Sequence, residues 1–95
     1  MKHTDNLKEY IWINMGSQRK ELIRFLQDEQ FTGEVLRKKI NERGTLKLSL
    51  REISRHLTSF AEKELLICLN PKAPYNRLYI LTKKGKEIRK RFVAQ

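Results

Sequence analysis

Between Ser49 and Lys63 the chain places Leu50, Ile53, Leu57 and Phe60 at three- and four-residue intervals, the spacing that lines one buried face of an α-helix. Ser49 and Glu52 have the separation of a capping box, so the helix is predicted to open at Ser49. Its other face carries Arg51, Ser54, Arg55, His56, Thr58 and Ser59, small hydroxyls and cations with little to bury. Immediately afterwards the pattern changes. Leu65-Leu66-Ile67-Cys68-Leu69 and Arg77-Leu78-Tyr79-Ile80-Leu81 read as strands, separated by a breaker-rich turn with Pro71 and Pro74. This segment must therefore fold as a helix followed by a hairpin with a cationic, aromatic tip. Thr82 can cap a final helix whose apolar residues are Ile88, Phe92 and Val93.

Upstream, Gly16-Ser17 punctuates the chain, and Ser17 is predicted to cap a helix with Leu22, Ile23 and Leu26 on its buried edge. Thr32 is placed to cap a second helix with Val35, Leu36 and Ile40 on its apolar side, and Gly44 to end it. Met1 to Asn6 is polar and reads as loose. Leu7 to Met15 fits a short helix through Leu7, Tyr10 and Ile11, although Tyr-Ile-Trp-Ile would also suit a strand. The order of elements predicts a mainly α chain with a small β-hairpin, of the α+β class. No internal repeat, linker or low-complexity run is visible.

Ninety-five residues suffice for one domain with a modest helical core and not for a deep catalytic cleft. The charge is lopsided: 21 Lys and Arg oppose 11 Asp and Glu, a formal +10. So large a surplus points to a polyanionic partner, most often nucleic acid. Half of it lies between Lys83 and Gln95, where Lys83, Lys84, Lys86, Arg89, Lys90 and Arg91 face a single acid, Glu87. A second cationic run, Arg37-Lys38-Lys39, sits in the second predicted helix. Neither run adjoins the wide apolar face that a membrane-surface helix uses.

Catalysis finds no support. No His–carboxylate pair, nucleophile motif or glycine-rich phosphate loop occurs, and Gly16, Gly33, Gly44 and Gly85 lie scattered. No cofactor or metal is expected: His56 and His3 have no companions at ligand spacing. Cys68, the only cysteine, reads as a small buried hydrophobe, and its lack of a disulfide partner suits a reducing cytoplasm.

Two stretches carry a resemblance to the winged helix-turn-helix transcription regulators of the ArsR- and MarR-like bacterial or archaeal kind. Ile53-Ser54-Arg55-His56-Leu57 followed by Glu62-Lys63-Glu64-Leu65-Leu66 is similar to their recognition helix and its exit. Tyr79-Ile80-Leu81-Thr82-Lys83-Lys84-Gly85-Lys86 resembles the junction after the wing, with its Leu-Thr-x-x-Gly pattern. The similarity spans Ser17 to Ile88. It implies a three-helix core plus wing and C-terminal helix. Residues 1–16 would be an N-terminal extension that meets a second subunit or packs on its own core, 17–82 the winged-helix domain and 83–95 a basic C-terminal helix. The implied partners are double-stranded DNA and a second copy of the chain. Helix 49–63 would enter the major groove through Ser49, Arg51, Ser54 and Arg55, with Glu52 held back by its capping role. Hairpin 65–82 would be the wing, with Lys72, Tyr75 and Arg77 near phosphates or the minor groove, and Thr32 would donate to a phosphate. The chain departs from the family at Glu64, where glycine is frequent, and in the length of the Gly44–Ser49 connection. It also lacks the cysteine pair of metal sensors. A winged helix that binds protein and a structured-RNA binder are the rival readings.

Overall fold

Five helices and three short strands alternate along the chain in the computed structural model, which describes residues 2–93 apart from the side chains of residues 2–5. In order they are α1 (Lys2–Asn14), α2 (Ser17–Phe25), β1 (Phe31–Thr32), α3 (Gly33–Arg43), α4 (Leu50–Glu62), β2 (Leu66–Cys68), β3 (Leu78–Leu81) and α5 (Lys83–Val93). The strands form one antiparallel sheet in the order β1-β3-β2. The class is α+β, mainly α, as expected. The sheet corrects the expected two-stranded hairpin, because Phe31 and Thr32 pair with Tyr79 and Leu78 and add a third strand. The Phe31 and Tyr79 rings stack across that pairing with centroids 6.1 Å apart, which fixes its register.

The local signals that set the helix boundaries act as predicted at α3, α4 and α5. Ser49 Oγ accepts from the Glu52 amide at 3.2 Å, and a Glu52 carboxylate oxygen accepts from the Ser49 amide at 2.9 Å. Thr32 Oγ1 accepts from the Val35 amide, and the Gly44 amide closes α3 on the Ile40 carbonyl at 2.8 Å. Thr82 Oγ1 accepts from the Gly85 amide at 2.9 Å. At α2 the expectation fails: Gly16 is the cap and Ser17 the first helical residue, so the Ser17 hydroxyl makes no capping bond. The long connection between α3 and α4 is tied by Asn41, whose amide donates to the Leu48 carbonyl and accepts from the Leu48 amide. Leu48 is thereby drawn into the core.

One apolar cluster joins every helix. Ile13 of α1, Leu22 and Ile23 of α2, Leu36 and Ile40 of α3, Ile53, Leu57 and Phe60 of α4, and Ile88 and Phe92 of α5 all belong to it. Each such side chain contributes about 1.5–3 kcal/mol when withdrawn from water. Three assignments to the apolar interior are overturned. Val35, Leu50 and Val93 are exposed, because each lies at an edge of its helix that neighbouring elements cover only in part. Cys68 is half-buried, because it is the last residue of the edge strand β2, with its thiol 3.7 Å from Asn70 Oδ1.

The N-terminal helix also differs from expectation. It begins at Lys2, so the stretch read as loose is helical from there to Asn6, while Met1 and the side chain of His3 lie outside the described residues. Leu7 and Ile11 are exposed, and Ile13 is the side chain driven into the core. Tyr10 meets Phe92 with ring centroids 4.9 Å apart, and Trp12 meets Phe60 at 5.4 Å. Among the described residues no helix is long and apolar enough to cross a membrane.

At the exit of α4, Glu64 adopts φ 64°, in the left-handed region. That conformation costs a non-glycine residue about 1–2 kcal/mol, whereas glycine adds about 0.5–1 kcal/mol of unfolded-state entropy. Glu64→Gly is therefore expected to stabilise the fold slightly, raising the melting temperature by about 3 °C. A lowered melting temperature would show instead that the Glu64 side chain contributes to the native state.

Candidate nucleic-acid interface

Arg51, Ser54, Arg55 and Thr58 recur at helical spacing along α4 and are all exposed, because Ile53, Leu57 and Phe60 bury the opposite side. Among the described residues neither arginine has a carboxylate within salt-bridge distance. Glu52, the acid next to them, is turned back into the helix cap. The bond from the Ser49 amide, more than any other influence, holds its carboxyl below the usual range and keeps it ionised. The face therefore presents two guanidinium groups in no salt bridge among the described residues, Arg55 within electrostatic reach of Glu52, beside two hydroxyls.

The β2–β3 connection stands beside this face. Asn70 organises it: Oδ1 accepts from the Leu78 amide at 2.7 Å and Nδ2 donates to the Asn76 carbonyl at 3.3 Å. Asn76 takes φ 57°, a left-handed turn that asparagine tolerates well. Between the connection and α4 runs an open groove of about 390 Å³, with Thr32, Leu50, Ser54, Thr58, Tyr75 and Tyr79 among its lining residues. Tyr75 extends from its rim with 75% of its surface exposed.

The predicted site residues separate into groups. Thr32, Ser54, Tyr75 and Arg77 meet around the groove. Arg51 and Arg55 lie on the adjoining exposed stripe of α4, and Ser49 caps that helix, its side chain engaged with the Glu52 amide and carboxylate. Lys72 is exposed on the connection, outside the groove lining. Arg77 precedes β3 rather than opening it, and its Nε donates to the Ala73 carbonyl at 2.9 Å, so part of its guanidinium shapes the loop. Thr32 caps α3, but Glu34 sits in the first turn there and is paired bidentately with Arg37 at 2.8 and 3.0 Å. That carboxylate weakens the appeal of this helix end for a phosphate.

Other cations serve the fold. Arg19 donates to the Trp12 carbonyl and lies over the Trp12 ring at 4.6 Å, with Lys63 5.2 Å from the same ring. Lys84 pairs with Glu9 at 2.7 Å, and Arg89 pairs with Asp28 at 2.7 Å. The basic C-terminal run is therefore partly consumed internally, Arg91 lying 5.3 Å from the Tyr10 ring, while Lys83 and Lys90 remain exposed. Among the described residues no three His, Cys, Asp or Glu side chains come together in a way that could hold a metal ion.

Comparison with protein-family models, curated proteins and solved structures returned no match for this chain.

Sequence reasoning missed two features of the site. Leu50 belongs to the groove instead of the core. His56, half-buried, bonds through Nε2 to Gln18 Oε1 at 2.7 Å and so links the start of α2 to α4. Burial, then the charges of Arg19 and Arg55, push the imidazole below its ordinary 6.5. As pH falls from 7.5 to 5.5 the unfolded chain binds a proton at this histidine more readily than the folded chain does. Stability must then fall across that window. Glu34 and Glu52, held below 4.5, contribute only at lower pH. The melting temperature is expected to be lower at pH 5.5 than at 7.5, with His56→Gln reducing the difference. An unchanged difference in that variant would assign it to other groups.

Proposed function

We infer that the chain is a winged-helix protein that binds double-stranded DNA sequence-specifically and acts in the cytoplasm as a transcription regulator. The single observation that carries this reading is the pair of exposed arginines, Arg51 and Arg55, in no salt bridge among the described residues, on a hydroxyl-bearing helix face beside a loop bearing Lys72 and the exposed Tyr75. Arginine can bond two guanine acceptors at once, and serine and threonine reach either bases or phosphates. The helix order and the β1-β3-β2 sheet support the family resemblance. In this reading α4 enters the major groove, and the β2–β3 connection is the wing that follows the backbone.

The exposed edge of α1, formed by Leu7 and Ile11 and continued by Met15 in the turn after it, supports a homodimer. A two-fold dimer presents two α4 helices to half-sites about one helical turn apart. The same edge also favours the second reading, in which the domain docks on another protein. Selection from a random-sequence duplex pool at stepped salt concentrations separates them. A two-fold-symmetric enriched motif, with affinity falling steeply as salt rises, is the expected result. Equal binding of matched duplex RNA would redirect the reading to RNA, and no binding near physiological salt would favour the protein partner.

A further inference from the structure

Leu50 stands apart from the apolar arc to which its spacing assigns it. Ile53, Leu57 and Phe60 have no exposed surface, yet Leu50 is 46% exposed. One side of it rests over Gly33, where an added Cβ would lie 3.4 Å from Leu50 Cδ1. The other side reaches the rim of the groove between α4 and the β2–β3 connection. At 3.6 residues per turn, Leu50 and Arg51 flank Ser54 on the leading turn of the helix. A half-exposed leucine is thus embedded in the same exposed surface as Arg51 and Arg55, which form no salt bridge among the described residues.

Cations and hydroxyls suit the polar edges of base pairs. A leucine among them suits the one apolar group that unmodified DNA displays in the major groove, the 5-methyl of thymine. We propose that Leu50 is a specificity-determining residue that contacts a thymine methyl in each half-site, next to the base addressed by an α4 arginine. This rests on the DNA-binding reading and deepens it. The contact distinguishes thymine from cytosine without any hydrogen bond, so removing the methyl group alone abolishes it.

The test replaces each thymine of the enriched duplex in turn by deoxyuridine, which lacks the methyl and keeps its pairing. The wild-type protein should lose about fourfold in affinity at one thymine per half-site, the effect of withdrawing one buried methyl group. Leu50→Ala should bind the thymine duplex with a similar loss and should no longer distinguish it from the deoxyuridine duplex. Thermal melting of the variant checks that it folds, and the wild-type scan needs no variant. The proposal is overturned if no thymine is sensitive, if the motif contains none, or if folded Leu50→Ala keeps the full difference. Absence of any enriched duplex removes the DNA reading itself and the thymine contact with it, so the two failures are distinguishable.

Discussion

Gly85→Ala is expected to lower the melting temperature by about 10 °C. Gly85 is the third residue of α5 and is buried where that helix presses on the chain entering β2. A Cβ there would overlap the Leu65 carbonyl oxygen, with the carbonyl carbon at 3.1 Å and Leu81 Cδ2 at 2.9 Å. The carbonyl cannot easily yield, because it accepts from the Thr82 amide at 3.1 Å at the turn that starts α5. Alanine gains about 1 kcal/mol in helix propensity over glycine. Overpacking against backbone costs about 3 kcal/mol, so the overlap wins by about 2 kcal/mol. Circular-dichroism melts of the two proteins measure the difference. An equally stable or more stable variant would mean that α5 does not approach Leu65 so closely. Gly33→Ala is the matched control, since its Cβ would meet only side-chain methyls at 3.4 Å or beyond.

Arg55→Ala is expected to remove discrimination more than affinity. On the selected duplex it should lose roughly 10- to 100-fold, the range of one bidentate arginine–guanine contact, and on random duplex only a few-fold. Lys72→Ala should weaken both duplexes alike and reduce the salt slope by about one unit, as a phosphate contact does. The contrast follows from placement: Arg55 lies on the helix face beside Ser54, whereas Lys72 sits on the exposed connection outside the groove. Filter-binding or anisotropy titrations at three salt concentrations read both effects. If Arg55→Ala behaves as Lys72→Ala does, α4 is not the element that reads bases.

Much of the fold was legible because its signals are local. The Ser49–Glu52 capping box, the Thr32 cap and the Gly44 stop each depend on residues within one helical turn, and each forms. The third strand was not legible. Phe31 and Thr32 are two residues with no periodicity, and only their distant partners Tyr79 and Leu78 make them a strand. Leu50 shows a related gap: periodicity gives the angle at which a side chain leaves the helix, but not whether another element reaches that turn. In α1 the run Tyr10-Ile11-Trp12-Ile13 is apolar on every side, so its sequence does not say that Ile13 faces inward and Ile11 outward. The candidate site was legible as a set of residue types on α4 and the hairpin tip. The groove that brings Thr32 to Ser54 and Tyr75 needed the tertiary fold.

Of all measurements, an amide-resolved NMR titration of the labelled protein with duplex DNA at near-physiological salt tests the central claim most directly. The account predicts that the largest shifts fall on Ser49 to Thr58 and on Lys72 to Arg77, with the outer edge of α1 unmoved by DNA contact. Shifts confined to α1 and α5, or no shifts at all, would contradict the placement of DNA against α4 and the β2–β3 connection.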